Sequence, residues 1–185
     1  TREPGTHSLS ISPGGNFYTD TWNNITTPGA IAAYNSKAQV LREIHKFDQP
    51  ENDPAKSPKA ELVRIMTSDG QFNMPAMITY PLNFDPSKKY PVVFFVYTEP
   101  AGANVVDRFG VGRNRLYAGD MRKDGYIYVS IDNRGTPVPK GRNWRKSIYR
   151  KIGIVNIDDQ ASAARELFKL GFIDTTRVAV WGWSG

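Results

Sequence analysis

Apolar positions recur along this chain with more than one period, and the change of period divides it. From His7 to Ile44 the pattern is one of short runs broken by turn residues. Ser8–Ser12 alternates polar and apolar, and Asn16–Trp22 is rich in β-formers. Ala30–Tyr34 and Gln39–Ile44 complete a set of four predicted strands. Pro13-Gly14-Gly15, Thr27-Pro28-Gly29 and Asn35-Ser36 punctuate them with residues that favour tight turns. Four strands spaced in this way predict an antiparallel meander about the size of one β-propeller blade. A lone sheet of that size buries little apolar surface, so it is expected to belong to something larger.

Residues 1–47 therefore form one region. A linker is predicted over 48–60, where Asp48–Lys59 carries three prolines and mixed charge. From 61 to 185 the pattern changes. Glu61–Met66 and Ala76–Tyr80 read as a strand pair around the turn Ser68-Asp69-Gly70, with Pro81 halting the second. Tyr90–Tyr97 and Tyr126–Ile131 are continuous apolar strands, the signature of burial on both faces. Leu116–Lys123 suits a short helix. Ile154–Leu170 predicts a longer one, with Ile154, Ile157, Ala161, Ala164, Leu167 and Phe168 on its apolar face. Asp158 and Asp159 sit near its positive end and Lys169 near its negative end. Arg177–Trp181 is a last strand, running into Gly182-Trp183-Ser184-Gly185. This order predicts an α/β sheet that is largely parallel. Ligands in such sheets bind beyond the carboxyl ends of the strands. Ser184 and Tyr97 both follow such ends.

Composition narrows the picture. The chain has 185 residues and is 39% apolar, enough to bury a core. No run approaches a membrane span. There is no cysteine, which removes disulfides and thiolate metal sites and fits either redox compartment. The net charge is +6, with twelve Lys or Arg and three Asp between Arg108 and Lys151. That block lacks regular helical spacing and any nucleic-acid motif. It reads as a solvated face whose countercharges lie elsewhere in a larger protein, and no nucleic-acid partner is expected.

The chemistry centres on Ser184. A serine between glycines, directly after a buried strand, suits a nucleophile elbow, where a sharp turn lifts the hydroxyl above the sheet. Gly182, Trp183 and Ser184 match the start of Gly-x-Ser-x-Gly, and Gly185 fills the free position. The alternative is an ordinary strand-ending turn. Tyr97 opens the loop after another buried strand. Its hydroxyl can donate to a developing oxyanion together with the backbone N–H of Gly185; the alternative is an aromatic residue closing the core. Asp132 and Arg134 are expected to pin a loop as a charge-assisted pair. His7 and His45 lie far upstream and read as structural or surface residues. No histidine and carboxylate cluster has ligand spacing, so neither metal nor cofactor is expected.

Three stretches together are similar to one family. "DNRGTPVPKGRNWRKSIYRKIG" followed by "VNIDDQASAARELFKLGFIDTTRVAVWGWSG" resembles the catalytic domain of the prolyl oligopeptidase family, in particular its dipeptidyl peptidase IV branch. "VFFVYTEP" resembles the oxyanion segment of that branch, and "LSISPGGNFYTDTWNNITTPG" its final propeller blade. The resemblance implies the end of a β-propeller followed by the N-terminal half of an α/β-hydrolase domain, cut at its nucleophile elbow. It implies a serine peptidase that releases dipeptides from peptide N-termini, with proline or alanine next to the cut. Ser184 would be the nucleophile, and Tyr97 and the Gly185 N–H the oxyanion donors. Thr98 and Glu99 depart from the glycines common there, and Gly185 stands in place of a tyrosine.

The triad Asp and His of the family follow the serine, so this reading expects an internal fragment that is silent by itself. Peptides are the implied partners, and a homodimer of the full-length protein stays open. Family habit favours a periplasmic or secreted location, which no residue here settles. A tripeptidyl peptidase, an acylaminoacyl peptidase or oligopeptidase of the same family, and a non-catalytic binding protein of the same fold remain alternatives.

Overall fold

The computed structural model describes residues 3–48, 59–110, 119–121 and 123–184. The chain divides into two compact units, Thr1–Ser57 with Val106–Val111, and Pro58–Val105 with Gly112–Gly185.

In the first unit, β1 (Thr6–Ile11), β2 (Phe17–Asn23), β3 (Ala30–Asn35) and β4 (Val40–Lys46) form one antiparallel sheet in sequence order. Tyr18 and Tyr34 face each other across β2 and β3, and their rings stack 5.0 Å apart, the cross-strand pairing that holds such ladders. The turn before β3 needs Gly29: its φ is 91°, and a Cβ there would lie 1.7 Å from the Trp22 carbonyl oxygen. Sequence reading places residues 106–110 with the second region, yet they pack here. The Ile25 N–H donates to Asp107 Oδ1 (2.9 Å), Thr6 Oγ1 to the Asp107 carbonyl (2.6 Å) and the Phe109 N–H to Asn23 Oδ1 (3.0 Å).

The second unit holds a five-stranded sheet made of β5 (Ala60–Met66), β6 (Asn73–Thr79), β7 (Tyr90–Val96), β8 (Ile127–Ile131) and β9 (Ile173–Gly182), in the order β5-β6-β8-β7-β9. It is mixed rather than largely parallel. β5–β6 and β6–β8 run antiparallel, β8–β7 and β7–β9 parallel. The tight turn between β5 and β6 allows only an antiparallel pair, whereas the parallel pairs follow long crossovers. Val92, Phe94, Ile127, Val129 and Ile131 fill one face of the central strands.

Two helices lie in the crossover between β8 and β9: α1 (Gly141–Lys146) and α2 (Val155–Leu167). Sequence reading gave no element to the first. Its one deep residue, Trp144, is fully buried and donates from Nε1 to the Thr136 carbonyl (2.8 Å). Cations on either side hide that anchor in the pattern. Half of the predicted helix at Leu116–Lys123 lies outside the described residues; of the rest, Gly119 is in a bend and Met121 and Lys123 in turns, and none is helical.

The expected apolar face of α2 holds in its second half, where Leu167 is buried and Ala164 and Phe168 pack against the core, and is corrected in its first half. Ile154, just before the helix, is 69% exposed and Ile157 60% exposed, whereas Asn156, Asp159, Ser162, Ala163 and Leu167 are buried. The first half of α2 packs on polar loops, so its inward stripe is polar and hydrogen-bonded. Among the described residues no helix is long and apolar enough to cross a membrane.

Gly182 pairs with Val96 at the end of the β7–β9 ladder. A Cβ on Gly182 would lie 2.4 Å from the Val96 carbonyl oxygen, closer than side chains tolerate. Gly182→Ala is therefore expected to part the two strand ends and to cost about 1–3 kcal/mol, read as a lowered melting temperature of the second unit.

Candidate functional site

β7 and β9 are adjacent and parallel, and Val96 stands opposite Gly182. Tyr97 follows Val96 by one residue and Ser184 follows Gly182 by two, so both leave the sheet at the carboxyl ends of neighbouring strands. Ser184 is exposed and has φ 75°. A residue with a Cβ rarely takes that left-handed conformation, which belongs to tight turns and strained functional positions. Gly185 lies outside the described residues.

Tyr97 is partly buried. Its ring lies against Gly102, where an added Cβ would come 3.1 Å from Tyr97 Cε1. The segment after it is tied down by side-chain amides. Asn104 Nδ2 donates to the Tyr97 carbonyl (2.9 Å) and Asn133 Nδ2 to the Thr98 carbonyl (3.1 Å). Asn156 Nδ2 donates to Thr98 Oγ1 (2.7 Å). Arg145 NH1 reaches the Pro100 carbonyl (3.0 Å) and also donates to the Gly135 carbonyl.

Asp132 and Arg134 do pin loops, but not through each other. Asp132 is fully buried and accepts from the backbone N–H groups of Asn104 (2.7 Å) and Val105 (3.1 Å). Arg134 forks onto Asp159, with NH2 to Oδ1 at 2.8 Å and Nε to Oδ2 at 3.1 Å, and Asp159 Oδ2 also accepts the Arg134 N–H (2.9 Å). Its NH1 pairs with Asp69 (2.5 Å). Burial disfavours the guanidinium charge, yet the bonds to Asp159 and Asp69 outweigh it and raise the Arg134 pKa. Asp69 is lowered to about 2, first by the Thr67 hydroxyl and further by the Gln71 N–H and Arg134. One cation of the basic block is thus an internal strut rather than part of a solvated face.

Burial lifts Asp132 to about 6, against the pull of its two backbone donors. The folded protein therefore holds this proton more tightly than the unfolded chain, whose carboxyl titrates near 4. The resulting stabilisation is complete below about pH 4 and is lost as pH rises through about 6. Stability measured against pH in wild type and Asp132→Asn is expected to diverge over that window, with the wild type losing on the order of 2–3 kcal/mol relative to the variant.

Both histidines have their observed partners within the first unit. His7 Nδ1 meets Asp20 Oδ2 (2.8 Å) and its Nε2 meets the Glu3 carbonyl (2.8 Å), so both ring nitrogens are occupied within the first unit. His45 packs edge-on against Phe47, 4.7 Å between centroids. Among the described residues no group of three or more His, Asp or Glu could hold a metal ion.

Sequence reasoning missed Asn104, Asn133 and Asn156 as partners of the Tyr97 segment. Buried asparagines beside a loop are the only signal it had, and sequence gives no burial.

Comparison with known proteins gives the chain its relatives. Residues 116–185 match the prolyl oligopeptidase family. The chain is 34% identical over 146 residues to the prolyl endopeptidase FAP of Mus musculus, covering 79% of this chain and 18% of that protein. It is 39% identical over 146 residues to a probable dipeptidyl-aminopeptidase B of Trichophyton verrucosum, covering 79% of this chain and 16% of the relative. The crystal structure of Porphyromonas gingivalis dipeptidyl peptidase 4 superposes with a TM-score of 0.79 at 29% identity, over 99% of this chain and 26% of that one. The chain thus spans less than a fifth of these two curated relatives.

Proposed function

Because this chain belongs to the prolyl oligopeptidase family, we propose that it carries the nucleophile of a serine peptidase whose full-length form releases dipeptides from peptide N-termini. Proline or alanine next to the cut is the preferred substrate feature. Residues 1–47 would be the last part of a β-propeller, 48–60 the linker, and 61–185 the first half of an α/β-hydrolase domain.

The observation that carries the reading is Ser184 itself, at φ 75° beyond β9, with Tyr97 beyond the neighbouring parallel strand. In this reading Ser184 Oγ attacks the carbonyl carbon of the peptide's second residue. A general base takes its proton, and the negative oxygen that forms accepts from the Tyr97 hydroxyl and the Gly185 N–H. Collapse expels the amine as it takes up the proton, and water then releases the acyl group. In the prolyl oligopeptidase family the base histidine follows the serine in sequence, so this reading assigns it to another part of the full-length protein.

The test is hydrolysis of a Gly-Pro-chromophore amide by the full-length protein, with phosphonate labelling located at Ser184. Cleavage of the free-amino substrate together with that label supports the reading. Cleavage of only N-blocked substrates replaces it with an endopeptidase. Absence of both cleavage and label in folded protein replaces it with a binding role for the same fold.

A further inference from the structure

We infer that Asn133 and Asn156 are positioning residues for Tyr97, acting through Thr98; the inference rests on the proposed role of Tyr97 as an oxyanion donor. Once the chain leaves β7, the carbonyls of Tyr97 and Thr98 need partners outside the ladder. Side-chain amides supply them, from Asn104 (2.9 Å) and Asn133 (3.1 Å). A third amide, from Asn156, takes the Thr98 hydroxyl at 2.7 Å. Two consecutive residues are thus held from three directions.

Each amide that grips Thr98 is itself aimed. An amide oxygen accepts while its nitrogen donates, so a donor on the oxygen fixes which way the group points. The Gly153 N–H donates to Asn156 Oδ1 (2.7 Å), leaving Nδ2 for Thr98. Gln160 Nε2 donates to Asn133 Oδ1 (3.1 Å) and to the Ile131 carbonyl (3.0 Å). Asn133 is fully buried and Asn156 nearly so, and water competes little for bonds there. The anchors also stand on rigid supports: Asn133 two residues beyond β8, Asn156 in the first turn of α2. Supports of this kind hold a reacting group within the fraction of an ångström that catalysis needs. Thr98 is the point where they meet. Its hydroxyl gives Asn156 a partner that glycine or alanine could not offer, so the clamp needs this side chain, one residue after the tyrosine it steadies.

The experiment uses full-length protein and a Gly-Pro anilide. Thr98→Val keeps the shape and removes the hydroxyl; Thr98→Ser keeps the hydroxyl. The valine variant is expected to lose about tenfold to a hundredfold in kcat with KM within about twofold of wild type, and the serine variant to restore most of kcat. Asn156→Ala removes the same bond from its other side and is read in the same way, should the valine variant not fold. The decisive arm is the Tyr97→Phe background. There Thr98→Val is expected to cost nothing further, because the hydroxyl it positions is gone. An equal loss in both backgrounds, or an unchanged kcat in folded Thr98→Val, overturns the inference while leaving Tyr97 as donor. A Tyr97→Phe variant with wild-type kcat overturns the donor role and this inference with it.

Discussion

Ser184→Ala in the full-length protein is expected to lower kcat by about five to six orders of magnitude, the scale seen when a serine peptidase loses its nucleophile. The residual rate would come from binding and the oxyanion donors alone. The conformation of Ser184 adds a second readout that separates a nucleophile at a strained turn from an ordinary strand end. At φ 75° any residue with a Cβ is strained, and alanine gains nothing over serine there. Ser184→Gly is expected to be as inactive as alanine yet more stable by about 1 kcal/mol. Loss of activity in both variants, with a gain in melting temperature only in the glycine one, is the expected pattern. Equal stability of the two would show that the turn relaxes in the full-length protein.

Strands with strong local character were legible from residues alone. Tyr90–Tyr97 is an unbroken apolar run, and it forms β7 at the centre of the parallel part of the sheet. Gly182 and Ser184 marked the end of a strand, and β9 ends there, but the strand expected to be buried is largely exposed beyond Ile173 and Asp174. The existence of α2 followed from its period, as did the face its second half buries with Ala164, Leu167 and Phe168, but not the face its first half buries. Ile154 and Ile157 obey the apolar spacing and point outward, while Asn156 and Asp159 turn inward. Periodicity weighs each residue by its own affinity for water. It cannot see that Asp159 meets Arg134 25 positions upstream, or that Asn156 meets Thr98 58 positions upstream. The same limit hid the amide clamp around Tyr97. The reading of Asp132 and Arg134 as loop anchors named the right residues and the wrong partners, because short spacing suggested a bond that neither side chain makes.

Asp159→Ala is expected to cost the second unit about 3–5 kcal/mol, the penalty for stranding a buried charge. Arg134 retains only 7% of its exposure, and Asp159 none. With the carboxylate gone, the guanidinium keeps Asp69 alone, and its Nε, NH2 and backbone N–H lose their acceptor. Asp69→Ala is the control. Its side chain is 36% exposed, so water can reach the three donors it leaves, Arg134 NH1, the Thr67 hydroxyl and the Gln71 N–H. That loss is expected to stay near 1 kcal/mol, as for other solvated ion pairs. Replacing both buried partners, Arg134→Met with Asp159→Leu, is expected to recover much of the deficit, since neither charge then needs compensation. Denaturant unfolding of full-length protein, followed by the fluorescence of the tryptophans that include buried Trp144, would read all three. If Asp69→Ala cost as much as Asp159→Ala, the exposed partner would be the one that fixes Arg134. The strut between β8 and α2 would then be set from the β5–β6 turn rather than from within the helix.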